Sequence, residues 1–487
     1  MATALRVVDS SASASNPVTE VAQAYERLRK AYALEPFPSA AVREDRLTRL
    51  IRLLQKHADD FADAINNDFS GRSRHETWLA DIFMTVESAR HMRRHLGKWM
   101  SSETVLAQWY LLPAAARVMW QPLGVVGVVA PWNYAVNLAL GPLAAALGAG
   151  NRVLLKPSEM TPKTAELIAQ LTRETFAGDE VAVVNGGPDV ARAVVALPLD
   201  HIIFTGSTKV GRDVARAAAE NLTPVTLELG GKSPALIHPD YPMEQAASRI
   251  VIGKMFNAGQ TCIAPDYVLL PRGKEEDFAQ AFRKRVHAQY ADLARNPDYS
   301  AMATPSGYER MKALIADAAG KGARVESVCP GVPPAEGSRK LAPVLVHGAT
   351  TEMRVMQEEI FGPVLPILSY DSVEAAIAFI NERPRPLALY YFDDDHDRAE
   401  DVLRRTHSGG ACVNDTLLHF VQEGLPFGGV GASGMGRYHG VDGFQAFSHK
   451  KGIYEAGPVN PSRGLLSPPY GRLLDVAMRA LIGGKRK

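Results

Sequence analysis

Cysteine is scarce in this chain, with three residues, at 262, 329 and 412. Three unclustered thiols give neither a disulfide framework nor a zinc-ligand pattern, so no metal site is expected. An excess of one charge is missing too. Lys+Arg 54 against Asp+Glu 53 leaves a formal net charge of +1, which argues against nucleic acid or a strongly charged substrate. No run reaches about 18 uninterrupted apolar residues, so no membrane-spanning helix is expected. The first eighteen residues are rich in Ala, Ser and Val without a long apolar stretch. They read as a disordered leader, not a secretory signal. Reduced thiols and the lack of a signal point to the cytoplasm.

What is present is order along the chain. At 487 residues the length suggests two or three domains. Residues 19–100 carry apolar side chains at helical spacing, as at Leu47, Leu50, Ile51 and Leu54. Residues 105–120 read as extended. Short apolar strands at 125–130, 152–155, 181–185 and 201–205 then alternate with helical stretches at 135–148, 161–176 and 188–196. That alternation means βαβ units and a parallel sheet. It restarts near 235, with a helix leading to Cys262 and a strand at 267–270, so a second α/β unit is expected. Residues 472–482 form an amphipathic helix, with Leu473, Leu474, Ala477, Met478, Leu481 and Ile482 on one side. Its expected cover is the chain's own surface or a partner subunit. A weak membrane-surface contact, helped by Lys485, Arg486 and Lys487, is the alternative.

Two stretches carry chemistry. Among the three cysteines only Cys262 stands among small and polar residues, Ala258, Gly259, Gln260 and Thr261, after an apolar helical run. Such a thiol can be reached by a small molecule. Glu228 precedes Gly230-Gly231, where the backbone can turn sharply and aim a carboxylate into a cleft. A thiol and a carboxylate base make a covalent-catalysis pair. In a partly apolar cleft the pKa of Glu228 should rise toward neutrality, as suits a base. Cys329 and Cys412 are assigned structural or neutral roles.

Seven segments stand in a recognisable order: PWNY at 131–134, KPSE at 156–159, FTGSTKVG at 204–211, LELGGKSP at 227–234, FNAGQTC at 256–262, EEIFGPV at 358–364 and LPFGGVGASGMG at 425–436. With them the chain resembles the NAD(P)-dependent aldehyde dehydrogenase superfamily. The resemblance implies two parallel-sheet, Rossmann-like α/β domains plus a small extended oligomerisation arm. The expected division is an NAD-binding domain over 19–94 and 121–233 and a catalytic domain over 234–440. The arm would take 95–120 and 441–458, with a tail over 459–487.

The resemblance also implies roles. Cys262 is the nucleophile, Glu228 the hydrolytic base, and Asn133 with the Cys262 backbone N–H the oxyanion donors. Lys156 and Glu159 hold the adenosine ribose. Gly206, Ser207 and Gly211 lie against the pyrophosphate, where a strand end meets a helix N-terminus. Glu359 holds the nicotinamide ribose, and Phe361 and Trp132 line its pocket. The carboxylate at Glu159 would repel a 2′-phosphate, which favours NAD, with NADP as second choice.

SGGACVNDTLLHF at 408–420 and GMGRYHGVDGFQAFSHKK at 434–451 resemble the class-3-like branch, which includes fatty and coniferyl aldehyde dehydrogenases. Arg72-Ser73-Arg74-His75-Glu76-Thr77 and the Arg-rich run to Trp99-Met100 look most like bacterial coniferyl aldehyde dehydrogenases. On its own, that basic stretch reads as a solvated helix face. The expected substrate pocket is Tyr134, Leu417, His419, Phe420 and Phe427. Its apolar and aromatic character suits a hydrophobic aldehyde, aromatic such as coniferaldehyde or, alternatively, a medium- or long-chain alkyl one. Branch members are typically dimers, so a homodimer is expected, with the arm's strand edges covered by the partner.

Overall fold

The computed structural model describes residues 17–330, 338–459 and 467–483. The leader expected over 1–18 lies almost entirely outside them, as do Gly484 and the Lys485-Arg486-Lys487 terminus.

Three sheets organise the chain. The first has six strands in the order Gly434–Met435, Val225–Glu228, His201–Thr205, Val125–Val129, Arg152–Lys156, Val181–Val183. All neighbours pair parallel except the short Gly434–Met435, which runs antiparallel to Val225–Glu228. Val125–Val129 and Arg152–Lys156 are buried at every position. Helices cover both faces of such a sheet, so its strands read as mainly apolar runs. The crossovers are the helices the sequence anticipates, at Asn137–Ala149, Pro162–Thr175, Pro188–Val195 and Thr208–Ala219. Pro162 and Pro188 begin their helices, where a missing N–H costs nothing.

The second sheet has seven strands in the order Arg324–Ser327, Val344–His347, Val364–Tyr370, Tyr267–Pro271, Pro234–Ile237, Ala388–Phe392, Gly410–Val413. It is parallel except at Arg324–Ser327. One apolar core runs through both large units, from Leu47 and Phe61 through Val126 and Ile250 to Leu365. The α/β architecture with two parallel-rich sheets is therefore as the sequence implies.

The third sheet is small and antiparallel: Glu103–Val105, Ala115–Pro122 and Ser448–Glu455. Its outer strand is exposed along its length, and Leu106, Trp109 and Leu112 beside it face solvent. This extended part is shorter than the segments 95–120 and 441–458. Residues 95–100 finish the helix Met84–Met100, and 441–446 belong to the helix Gly440–Ala446. Leu96 and Phe444 explain the difference, because each anchors its helix in the core. The return to the six-stranded sheet also precedes residue 440. Gly434, at φ 155, lies so close to the Leu227 carbonyl that a Cβ would collide with it.

The tail helix forms over Arg472–Leu481. Its apolar side is not seated on the described chain: Leu473 is 89% and Ile482 76% exposed. Docking on the chain's own surface is thus not found. A ten-residue helix gains little from packing when that side stays open. Among the described residues, no helix is long and apolar enough to cross a membrane.

Candidate active site

Glu228 is the last residue of its strand, in register with Thr205 at the end of the next. Ligands of parallel sheets gather outside such carboxyl ends. Gly230 and Gly231 follow. Neither has a positive φ, so the sharp-turn reading of this pair gives way to close approach. A Cβ on Gly230 would collide with the Glu359 carboxylate, and one on Gly231 would press on the Pro386–Leu387 backbone.

Cys262 follows a strained loop. Asn257 (φ 52), Ala258 (φ 50) and Gly259 (φ 74) are successive left-handed residues, a conformation that costs about 1–3 kcal/mol at a non-glycine. Hydrogen bonds hold it. Asn257 Nδ2 donates to the carbonyls of Asn133 and Gln260, each at 3.1 Å. Gln260 Nε2 donates to Asn257 and Ala301, and its Oε1 accepts from Ala303 N–H. Asn257 N–H donates to Glu76 Oε1 at 3.1 Å. Asn133 is buried and donates one amide N–H to Gln260 O at 3.1 Å, which brings its side chain beside the loop of Cys262. The second amide N–H is not used there.

Cys262 and Glu228 both line one cavity of about 360 Å³. Tyr134, Leu417, Phe420 and Phe427 line it as the sequence predicts. His419 does not. It is buried behind the wall with no hydrogen bond on either ring nitrogen, 6.2 Å from the Phe427 ring. Burial holds its pKa down to about 4, so it packs as a neutral aromatic. Tyr134 donates to or accepts from Thr261 Oγ1 at 2.6 Å, and both residues line the cavity.

The electrostatics are those of a dry site. Both carboxylate oxygens of Glu228 are buried without a partner, and burial pushes its pKa well above the usual carboxylate range. Burial, then the charges of Glu359 and Glu228, push the Cys262 thiol up to about 12. The backbone N–H groups of Cys262 and Ile263 oppose this by favouring the thiolate. The resting Cys262 side chain is thus a protonated thiol.

The remaining predicted residues form a second group around the same strand ends. Lys156, buried at the end of its strand, forms an ion pair with Glu159. Ser207 caps the helix Thr208–Ala219, and Gly206 N–H donates to Glu228 O at 3.0 Å. Gly211 is buried in that helix against Leu229, where a Cβ would collide. Its place is in helix–strand packing. Glu359 is half-buried, with its Oε1 buried and unpartnered. Burial, then Asp266, raise its pKa to about 8. Phe361 meets Trp132 edge-to-face at 5.5 Å.

The Aldehyde dehydrogenase family model matches residues 8–453. The chain belongs to the aldehyde dehydrogenase family. It is 43% identical over 466 residues to a protein named "Coniferyl aldehyde dehydrogenase" from a Pseudomonas species, covering 95% of this chain and 96% of the relative. A structure titled as the substrate-bound state of Staphylococcus aureus AldH is 35% identical, with a TM-score of 0.89, covering 95% of this chain and 99% of that one. A Mycobacterium tuberculosis aldehyde dehydrogenase complexed with NAD+ is 29% identical, with a TM-score of 0.81, covering 91% and 90%.

In this aldehyde dehydrogenase several site residues lie outside the motifs. Leu79 and Phe83 line the cavity from the π-helical segment Thr77–Phe83. Phe256, inside FNAGQTC, and Leu418 and Tyr438, inside the stretches 408–420 and 434–451, line it too. The basic stretch is a solvated face only in part: Arg74, His75 and Arg94 are exposed. Arg72, Ser73, Glu76 and Thr77 are buried. Arg72 donates to Asn133 O at 3.2 Å, lies 3.7 Å from Asp81, and sits over the Tyr134 ring at 5.1 Å. Its burial is tolerable because Glu76 and Asp81 supply opposite charge. The sequence signal was the spacing Arg72, Glu76 at i,i+4.

Proposed function

We propose that this aldehyde dehydrogenase oxidises a hydrophobic aldehyde, aromatic in the manner of coniferaldehyde, to its carboxylic acid with NAD. The observation that carries the reading is the apolar, aromatic cavity with Cys262 and Glu228 both in its wall. The identity to a coniferyl aldehyde dehydrogenase supports the aromatic class. A medium-chain alkyl aldehyde is the second reading, favoured by the aliphatic Leu79, Leu418 and Val421 in the lining.

The residues on the six-stranded sheet fit a dinucleotide. Glu359 offers a buried, unpartnered carboxylate oxygen, which a ribose hydroxyl can satisfy. Gly230 leaves room for that carboxylate. Ser207 opens a twelve-residue helix, whose free N–H groups suit a pyrophosphate. Lys156 and Glu159 would hold the adenosine ribose, with Glu159 disfavouring a 2′-phosphate. Phe361 and Trp132 would flank the nicotinamide. When bound, NAD accepts the hydrogen that leaves the aldehyde carbon with its electron pair.

The chain's own groups do the rest. The Cys262 thiol gives its proton to water as its sulfur bonds to the aldehyde carbon, and the carbonyl electrons move to oxygen. The free N–H of Asn133 and the Cys262 backbone N–H stabilise that oxyanion. One such donor is worth about a hundred- to a thousandfold in rate. After oxidation the acyl group remains on Cys262 as a thioester. Glu228 takes a proton from water as the water oxygen bonds to the acyl carbon, and the carbon–sulfur bond breaks. Burial raises the Glu228 pKa well above the usual carboxylate range, and a carboxylate so raised is a stronger base than an exposed one.

The exposed strand Glu103–Val105, with Leu106 and Trp109, supports a homodimer formed through the small sheet. A partner subunit is also the cover we favour for the tail helix. The test of the reading is an absorbance assay of reduced cofactor, run with NAD and NADP over a panel of aryl and alkyl aldehydes. Cinnamaldehyde-type substrates with NAD should give the highest kcat/KM. Higher values with alkanals would move the assignment to the second reading.

A further inference from the structure

One interruption of the apolar lining has no part in the chemistry above. Arg249, on the helix Met243–Met255, and Asp415, just after the strand Gly410–Val413, both line the cavity. Their charged ends stand 3.6 Å apart, beyond hydrogen-bond reach. Among the described residues, the Arg249 guanidinium makes no hydrogen bond, so its donors are open. Asp415 Oδ1 is committed to the Thr416 N–H at 2.8 Å, and Oδ2 faces Arg249. Thr416 Oγ1 donates to the Arg249 carbonyl at 2.9 Å. The two segments are therefore stitched together, and their charged ends form an ion pair with no direct hydrogen bond between them.

The pair stands at the cavity mouth. The Arg249 side chain is 51% exposed, and Leu418 and Phe83 in the same lining are exposed as well. Glu228, Phe427 and Tyr438 in the lining are buried. A molecule bonded to Cys262 thus passes through an apolar channel toward one polar pair.

We propose that Arg249 and Asp415 read a hydroxyl at the far end of an aryl aldehyde, which makes them specificity-determining residues. This rests on the function proposed above and narrows its substrate class to aldehydes bearing a distal phenol. A hydroxyl both donates and accepts, so one oxygen can donate to Asp415 Oδ2 and accept from Arg249. An ether oxygen can only accept. A hydrocarbon end does neither and leaves the pair to water. A carboxylate is drawn by Arg249 and repelled by Asp415.

The test compares kcat/KM, with NAD, for 4-hydroxycinnamaldehyde, 4-methoxycinnamaldehyde and cinnamaldehyde in the wild type and in Arg249→Met, which keeps most of the aliphatic stem. Wild type should favour the hydroxyl compound over the other two by about tenfold, the scale of one charge-assisted hydrogen bond at a partly exposed site. In Arg249→Met that preference should shrink to about twofold or less. Equal wild-type values for the three substrates would overturn the role of the pair while leaving the aromatic reading intact. So would a preference that survives in Arg249→Met. A wild type inactive on all three but active on decanal would overturn the aromatic reading and the role of the pair together. The substrate series in the wild type needs no variant to fold.

Discussion

Glu228→Gln is the most telling perturbation, because the account makes two separate demands on it. The first is kinetic. Glutamine keeps the shape but cannot take a proton from water, so release of the acyl group should slow by about a hundred- to ten-thousandfold. Stopped flow with NAD and cinnamaldehyde should show a rapid burst of NADH near one per active site, then very slow turnover. The second demand is thermodynamic. Burial raises the Glu228 pKa, so the folded chain keeps a proton that the unfolded chain releases above about pH 4. Between those two pKa values the unfolded state binds fewer protons, and stability falls as pH rises by up to about 1.4 kcal/mol per pH unit. Glutamine escapes that loss. The melting temperature of the variant relative to wild type should climb as pH rises from about 4 toward the raised pKa of Glu228, by about 1–2 °C per pH unit for a chain of this length. An unchanged steady-state rate would refute Glu228 as the base. A melting difference that does not move with pH would refute its desolvation.

Three further outcomes follow from the packing. Gly230→Ala should displace the Glu359 carboxylate, weakening NAD binding in calorimetry by about tenfold; unaltered binding would remove Glu359 from the cofactor site. Glu159→Gln should raise the ratio of NADP to NAD use in kcat/KM, and a wild type that already prefers NADP would overturn the electrostatic argument. Leu106→Ser with Trp109→Ser should shift the chain toward monomer in light scattering, because both side chains face solvent beside an exposed strand. If deleting residues 470–487 abolished binding of the chain to anionic liposomes without changing stability or assembly, a membrane role for the tail would replace the partner contact.

The parts that were legible in the sequence are those carried by local pattern. Val125–Val129 is a valine-rich run and Arg152–Lys156 is apolar between its charged ends, and such runs mark doubly covered strands. Cys262 stood out because it sits among small and polar residues, and Glu228 because it precedes Gly230-Gly231. Long-range contacts were not legible. Glu76 supports the nucleophile loop from 181 positions away in the chain, and nothing near it in the sequence signals that. Arg72 looked solvated because its compensation comes from the fold. His419 lies one residue from two lining residues, but its turn directs it behind the wall. Residues 95–100 and 441–446, assigned to the extended arm, are helical, because Leu96 and Phe444 pack in the core. The tail's amphipathicity was plain, but which surface covers it is not a property of the helix.

The central claim is that the substrate becomes covalently attached to Cys262. Its most direct measurement is peptide mass spectrometry of Glu228→Gln quenched after one burst with NAD and cinnamaldehyde. The account predicts one acyl group per chain, on the peptide that carries Cys262. An acyl group on Cys329 or Cys412, or a full NADH burst with no adduct, would contradict it.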